Sequence, residues 1–153
     1  MNQKGLSQQD YQRIIVEGDA KVLTERAERI GTGLARQLTT SQIRNVFGTV
    51  RQIEMSWTPQ AADQERKYAA RQLLLLKPKL AYQARRERGR GVQQLADILI
   101  PAIDLVGEDR GRFQNFVDFF EAILAQVPEE LLTRLEQLLA ELQLPDIVPL
   151  DKL

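Results

Sequence analysis

The apolar residues of this chain recur at intervals of three and four along most of its length, which is the spacing of one face of an α-helix. No convincing run of alternating apolar and polar residues is present, and neither an Asn-Gly nor an Asp-Gly hairpin turn occurs. The pattern therefore predicts an all-α fold, a compact single-domain bundle of five to six helices.

The first two predicted helices carry the clearest patterns. The first spans about residues 19–37, and Gly31 and Gly33 inside it indicate that another helix approaches it closely. The second begins at Thr39, which is spaced from Gln42 as in a capping box. We expect this second helix to bury one apolar stripe, made of Ile43, Val46, Phe47, Val50, Ile53 and Trp57.

The third predicted helix spans about residues 61–76 and ends in four consecutive leucines, 73–76. Leucines on all sides of a helix are typical of burial on most of its faces. Pro78 follows and is expected to break or kink the helix, because proline lacks the donor that a helix interior needs.

In the second predicted helix, Glu54 falls inside the apolar stripe, so we expect it at the edge of the stripe or paired with a cation.

Two more helices are predicted in the core, at about residues 92–106 and 113–126. In the second of these, phenylalanines and aliphatic residues form one apolar face. Phe119 lies about 100° from the centre of that face, as the helical period places it. This position makes Phe119 a candidate for contact outside the domain.

The two ends of the chain differ from this core, which we assign to residues 19–126. Residues 1–18 are polar apart from one short apolar patch and are expected to be flexible or to form a single helical turn. Residues 127–153 are predicted to form an extra acidic amphipathic helix, at about residues 129–144, and a tail. Its leucines are spaced 4, 3 and 4 apart, at Leu131, Leu135, Leu138 and Leu142.

Composition argues against most enzyme classes. The 153 residues suffice for one modest core. The chain has no cysteine, which excludes disulfides, zinc-thiolate sites and cysteine nucleophiles, and no histidine, the commonest general base. The carboxylates lack metal-binding spacing, and no phosphate-cradling loop is present. We therefore expect a protein that is not an enzyme and needs no cofactor and no metal.

No targeting segment and no apolar stretch of bilayer length is visible in the sequence. We therefore expect a cytoplasmic protein without membrane contact.

The zero net charge conceals a strong asymmetry along the chain. Residues 36–90 carry twelve basic and four acidic side chains, whereas residues 91–153 carry four basic and twelve acidic ones. A basic middle points to a polyanionic partner. The alternative is internal, with the acidic third packed beside the basic third.

Basic residues in the middle third form two groups. Arg44 and Arg51 lie seven residues apart on the polar face of the second helix, and Thr40 and Ser41 at its start add donors and a favourable dipole for a phosphate. The second group surrounds Pro78 and extends into a glycine turn, with Lys77, Lys79, Arg85, Arg86, Arg88 and Arg90.

Guanidinium groups bind phosphates well, so these groups favour nucleic-acid contact over an ordinary solvated face. Few aromatic residues interleave with the cations. Base stacking is therefore expected to be limited, and binding to be sequence-independent and salt-sensitive.

Three collinear blocks of sequence resemble a known family. They are LTTSQIRNVF at residues 38–47, LLLLKPKLAY at residues 73–82 and FVDFFEAILA at residues 116–125. Together they resemble the small subunit of type III-A (Csm) CRISPR effector complexes, over roughly residues 20–126. After this region the chain departs from the family, because Gln126 replaces a tyrosine and the acidic helix follows.

The resemblance implies an all-helical, non-catalytic subunit that acts in antiviral defence. Several copies would stack head to tail beside the other Csm-type effector subunits. They would contact the phosphate backbone of the duplex between guide CRISPR RNA and target RNA. The resemblance implies RNA contact at Thr40, Ser41, Arg44, Arg51, Lys77, Lys79, Arg85 and Arg86. Contact at Arg88 and Arg90 is predicted from charge alone.

Three other functions remain open from the residues themselves. The first is a helical protein–protein adaptor without direct nucleic-acid contact, and salt-dependent binding to RNA of unrelated sequences would distinguish it. The second is a DNA-binding regulator, because the helix around residues 40–48 resembles half of a helix-turn-helix, but no properly spaced recognition helix follows, since residues 57–59 close the segment. The third is an enzyme that works through carboxylates.

Overall fold

Residues 5–86, 90–126, 137 and 140 are described by a computed structural model of the chain. All regular structure in these ranges is helical, which confirms the all-α bundle. Six helices follow one another, and the first continues into a π-helical turn at Gln12–Val16. They are α1 (Gln8–Tyr11), α2 (Ala20–Leu34), α3 (Thr40–Ser56), α4 (Asp63–Arg86), α5 (Gly91–Val106) and α6 (Arg110–Leu124).

Side chains with an oxygen acceptor start four of these helices. The Thr39 hydroxyl accepts from the amide of Gln42, whose side chain accepts in turn from the amide of Thr39, so the predicted capping box is confirmed. Ser7, Asp19 and Asp109 cap α1, α2 and α6 in the same position. Each cap satisfies donors that the first helical turn leaves unpaired.

The core lies where α3, α5 and α6 meet. Trp57, the C-cap of α3, stacks on Phe113 of α6 with ring centroids 4.7 Å apart, and Phe47 meets Phe120 edge-on at 5.2 Å. The predicted stripe of α3 is buried throughout. On one side α4 packs on α3 and α5, and on the other α2 packs on α6. The bundle therefore has α4 at one margin and α2 at another.

The N-terminal segment is helical over residues 8–16, which is more order than its polar sequence predicts. Tyr11, Ile14 and Ile15 of this segment are buried. Asn115 of α6 donates to the carbonyl oxygen of Ile15 at 2.9 Å. The apolar patch is short, but α5 and α6 cover it, and the tertiary contacts supply the stabilisation that an isolated turn lacks.

The two glycines of α2 have different environments. A Cβ on Gly31 would lie 2.4 Å from the carbonyl oxygen of Ile123, so the predicted close approach is confirmed there, against α6. Around Gly33 nothing lies within 4 Å, and the same prediction is wrong for this residue. Nothing in the structure explains the choice of glycine at that position.

In α4 the structure corrects two expectations. The helix does not end near residue 76 but continues through Pro78 to Arg86. Of the four leucines, Leu73 and Leu76 are buried, whereas Leu74 and Leu75 are 49% and 38% exposed. Within the described residues the principal neighbours of helix α4 are α3 and α5, and apolar contacts on both sides of Pro78 keep the helix continuous despite the missing hydrogen bond.

Phe119 is not available for contact outside the domain, because its side chain is fully buried. Helix α6 is covered by α2, by α5 and by the π-helical turn, so it buries more than one face. The expectation failed because one-sided burial was assumed for a helix that lies in the middle of the bundle.

The extra helix expected at residues 129–144 lies outside the described residues, apart from Gln137 and Ala140, which are exposed. None of the helices within the described ranges is long and apolar enough to cross a membrane.

Candidate nucleic-acid interface

One end of the bundle brings together helix termini that are distant in the sequence. Gly91, the first residue of α5, lies against the connection between α2 and α3. A Cβ on Gly91 would lie 2.1 Å from the carbonyl oxygen of Gln37 in that connection. Gln37 is two residues before Thr39, the N-cap of α3. The first turns of α3 and α5 therefore lie at the same end.

The last turn of α4 lies at this end as well. Arg86 ends α4 and Arg90 immediately precedes α5, so the connection spans at most about 14 Å. The residues that meet here are mostly cationic. We call them the basic end, which consists of Arg36, Ser41, Arg85, Arg86 and Arg90, all exposed.

Arg36 was not among the residues singled out from the sequence. It lies in the connection between α2 and α3, beside Gln37, and its side chain is exposed. In the sequence, Arg36 belongs to no motif. It is marked only by its place within the basic residues 36–90. The return of α5 to the α2–α3 connection, which tertiary packing decides, brings it into the group.

Electrostatics at the basic end combine helix dipoles with side-chain charge. The N-terminus of α3, a helix of 17 residues, presents the positive end of its dipole beside Ser41. Arg85 and Arg86 lie in the last turn of α4, where cations stabilise the helix C-terminus. The Arg86 guanidinium lies over the Tyr82 ring, 5.7 Å from its centroid, and this contact restrains its orientation.

Arg44 and Lys79 are exposed and lie within two turns of the basic end. Arg44 follows Ser41 by three residues on α3, and Lys79 precedes Arg86 by seven on α4. Neither they nor Arg85 form an ion pair with another side chain in the described part of the chain. Their charges are thus directed to solvent.

Arg51 is placed differently, at the boundary between α3 and α6. It is half-buried and donates to the Glu54 carboxylate at 2.5 Å, which confirms the expectation that Glu54 is paired with a cation. Glu121 lies nearby. Burial raises the pKa of the Glu121 carboxyl, the Glu54 charge raises it further, and Arg51 opposes the shift. The Arg51 guanidinium therefore interacts with two carboxylates, those of Glu54 and Glu121.

Lys77 connects two helices. Its ammonium group pairs with the carboxylate of Asp104 on α5, and the side chain is half-buried. This contact is one of two ion pairs that join the basic third to the acidic third within the described part of the chain. The other joins Arg66 to Glu108 at 3.9 Å. The internal-pairing alternative thus accounts for Lys77 and Arg66 through ion pairs and adds the electrostatic effect of Arg51 on Glu121, and none of these three cations belongs to the basic end.

Two predicted residues lie partly or wholly outside the described part of the structure. Thr40 is the first residue of α3, and its side chain is outside the described part of the structure. Arg88 lies outside the described residues altogether.

The opposite end of the bundle has mixed charge. A cleft of about 380 Å³ lies between the α3–α4 connection and the α5–α6 connection. Arg66 pairs there with Asp63 and Glu108, and Arg110 donates to the carbonyl oxygen of Trp57 at 2.5 Å. Among the residues described, no group of carboxylates is arranged to hold a metal ion at this end or elsewhere.

Comparison with known proteins gives one result. A family model described as Csm2 Type III-A matches residues 17–126, which is more than two thirds of the chain. The match covers α2 to α6 and both groups of basic residues. No curated protein and no solved structure matches the chain.

Proposed function

The chain belongs to the Csm2 family of small subunits of type III-A CRISPR effector complexes, and from this membership we propose that its basic end contacts the phosphate backbone of the guide–target RNA duplex. The observation that carries the proposal is the convergence of Arg36, Arg85, Arg86 and Arg90 beside the N-terminus of α3. Charged side chains gathered at one end match a ligand that presents a row of phosphates.

The mechanism needs no base readout by this subunit. Pairing between guide and target supplies the sequence specificity, so the protein needs only to recognise the duplex by its backbone and shape. Arginine forks donate two hydrogen bonds to one phosphate, and the dipole of α3 adds attraction for another. Arg44 and Lys79 extend the contact along α3 and α4.

The predicted contact residues differ in their environment. Ser41, Arg44, Lys79, Arg85, Arg86 and Arg90 are exposed and carry the contact. Arg51 pairs with Glu54 and Lys77 pairs with Asp104, so we assign these two cations a secondary role in RNA contact. Thr40 and Arg88 remain predictions, based respectively on the family resemblance and on charge.

In this role the subunit is non-catalytic and is placed in the cytoplasm. It acts in antiviral defence by stabilising bound target RNA, and it stacks in several copies beside the other subunits of the complex. The absence of histidine and cysteine from the sequence supports a structural role.

A charge reversal at the basic end tests the RNA contact. We expect the effector complex assembled with R85E/R90E to bind target RNA at least about tenfold more weakly than the wild-type complex. The logarithmic dependence of affinity on salt should also become less steep, by about one for each phosphate that the variant no longer binds. Binding is measured over a salt series with guides and targets of unrelated sequences.

The control is R13E/K21E, which makes the same change in net charge at exposed positions of the π-helical turn and of the first turn of α2. The complex with this control should bind like wild type. Equal affinity for R85E/R90E and the control contradicts the proposal. Failure of R85E/R90E alone to enter the complex also contradicts it, because the arginines then contact a protein subunit.

A further inference from the structure

The outward side of α4 carries most of the large apolar side chains that are exposed in the described part of the molecule. Five such side chains are exposed within these residues, and four of them belong to α4. Tyr68 and Tyr82 are 59% and 55% exposed, and Leu74 and Leu75 lie between them. The fifth, Met55, lies on α3. Apolar side chains that cluster on one helix face are typical of a contact site.

Helical spacing places these residues on one stripe. Tyr68, Leu75 and Tyr82 are separated by seven residues each, and Arg71 lies between the first two at a spacing of three. The inward side of α4 buries a different set, which includes Leu73, Leu76 and Leu80 and packs on α3 and α5. We call the stripe of Tyr68, Arg71, Leu75 and Tyr82 the outer α4 surface.

The charge around this stripe has one sign. Residues 67–86 contain six basic side chains and no acidic one, and one of the six, Lys77, pairs with Asp104 of α5. An occupant that complements the surface therefore carries apolar residues at helical spacing and flanking acidic residues. A phosphate backbone would pair with the cations, but it has no apolar groups to pack against the leucine side chains at the centre.

One segment of this chain has the required chemistry. Residues 129–144 contain seven leucines, of which Leu131, Leu135, Leu138 and Leu142 are spaced 4, 3 and 4 apart, together with four glutamates and one arginine. The segment thus offers an apolar stripe and a net charge of the opposite sign. We propose that the acidic leucine segment at residues 129–144 of one copy docks on the outer α4 surface of a second copy.

Chain geometry favours a second copy over the same one. Gln126 packs against Gly31 of α2, where a Cβ would lie 2.6 Å from the Gln126 Cγ, so the chain leaves the bundle on the α2–α6 side. Helix α4 lies beyond α3 and α5. A helix docked outside α4 is at least about 20 Å from α6, given axes about 8–10 Å apart.

Four residues, 127–130, separate Gln126 from Leu131, so the Cα atoms of these two residues lie at most about 18 Å apart. The short connection therefore favours docking on a second copy over docking of the whole leucine stripe on the same copy. In a second copy the contact is heterologous, because each copy offers one segment and one surface and the next copy can continue the chain. The inference deepens the self-association in the proposed function and does not depend on the RNA contact.

Two variants of the protein test the outer α4 surface and the acidic leucine segment one at a time. L75E/Y82E changes the outer α4 surface, and L135E/L138E changes the segment. Wild type should form dimers and longer chains as its concentration rises in sedimentation velocity without RNA. Each variant alone should lose this association, with a dissociation constant at least about tenfold higher, since both place a charge in an apolar contact.

The equimolar mixture of the two variants gives the sharpest test. The first variant retains an intact segment and the second an intact surface, so we expect the mixture to associate again and to stop at a dimer. A mixture that stays monomeric overturns the proposal, as does wild-type association that either variant leaves unchanged. Wild type that stays monomeric at every concentration overturns it too.

Matched controls exclude a general effect of charge. Q52E/M55E adds the same two charges at exposed positions of α3, and Q137E adds one in the segment, away from its leucine stripe. Both controls should associate like wild type. If L75E/Y82E associates normally but weakens target-RNA binding by the complex, the surface belongs to RNA and the proposal fails. The two proposals can fail separately. If L75E/Y82E loses association while the complex with R85E/R90E binds RNA like wild type, this inference is supported and the proposed RNA contact is contradicted.

Discussion

Single residues in this protein act through partners that are far away in the sequence. Tyr11 is an example, because its hydroxyl donates to the carbonyl oxygen of Ile98 at 2.8 Å and its ring is buried between the N-terminal segment and α5. Burial raises the pKa of Tyr11 to about 12, and the charges of Asp97 and Asp10 add to the shift. The neutral phenol is therefore the form that the fold requires.

This shift predicts the stability of the protein at high pH. The unfolded chain loses the Tyr11 proton near its ordinary pKa of 10.0, whereas the folded chain retains it until about 12. The stabilisation is thus complete below pH 10 and is lost as the pH rises toward 12. Urea unfolding over this window should show a steeper loss for wild type than for Y11F. Parallel curves for the two proteins would contradict the assignment.

At the scale of elements, α4 explains most of the differences between expectation and structure. Its 24 residues continue through Pro78, and its leucines divide between a buried and an exposed side. The four-leucine block predicted burial all round because composition alone does not reveal how many neighbours a helix has. Helix α4 has two principal neighbours, and its third side becomes the outer α4 surface.

Pro78 is exposed within this helix, so its replacement should stabilise the protein. P78A restores a backbone donor toward Leu74 and removes the ring clash, and we expect the free energy of unfolding to rise by about 1–3 kcal/mol. Urea unfolding measures the change. The control is P59A in the connection before α4, which should leave stability unchanged or slightly lower. A P78A protein that is no more stable than wild type would contradict the expected cost of the missing hydrogen bond and the ring clash at Pro78.

At the scale of the whole molecule, the N-terminal segment is part of the core. Ile14 and Ile15 are fully buried, and α6 holds the backbone at Ile15 through Asn115. Their amides should therefore exchange with solvent about as slowly as those in the middle of α6, because both open with the same cooperative unit. Hydrogen exchange followed by NMR measures this directly. Fast exchange at residues 14 and 15 would instead agree with the flexible segment expected from the sequence.

The candidate site was predictable to the extent that it depended on charge along the chain. Arg85, Arg86 and Arg90 were identified because basic residues concentrate in residues 36–90. Arg36 was missed because it becomes part of the site only when α5 returns to the α2–α3 connection. Arg51 and Lys77 were grouped with the rest, although Glu54 and Asp104 hold them in ion pairs. A sequence gives the number of cations in a region but not the carboxylates that face them.

The sequence by itself determined the helical class, the caps and the buried stripe of α3, because these depend on the 3.6-residue period and on hydrogen bonds between residues close in the chain. It also determined the family, through three blocks of local sequence. Only the tertiary structure decided which sides of α4 and α6 are covered, that the N-terminal patch is core, and which cations meet at one end. These features depend on how many neighbours each helix packs against, and that number is a property of the assembled bundle rather than of any segment.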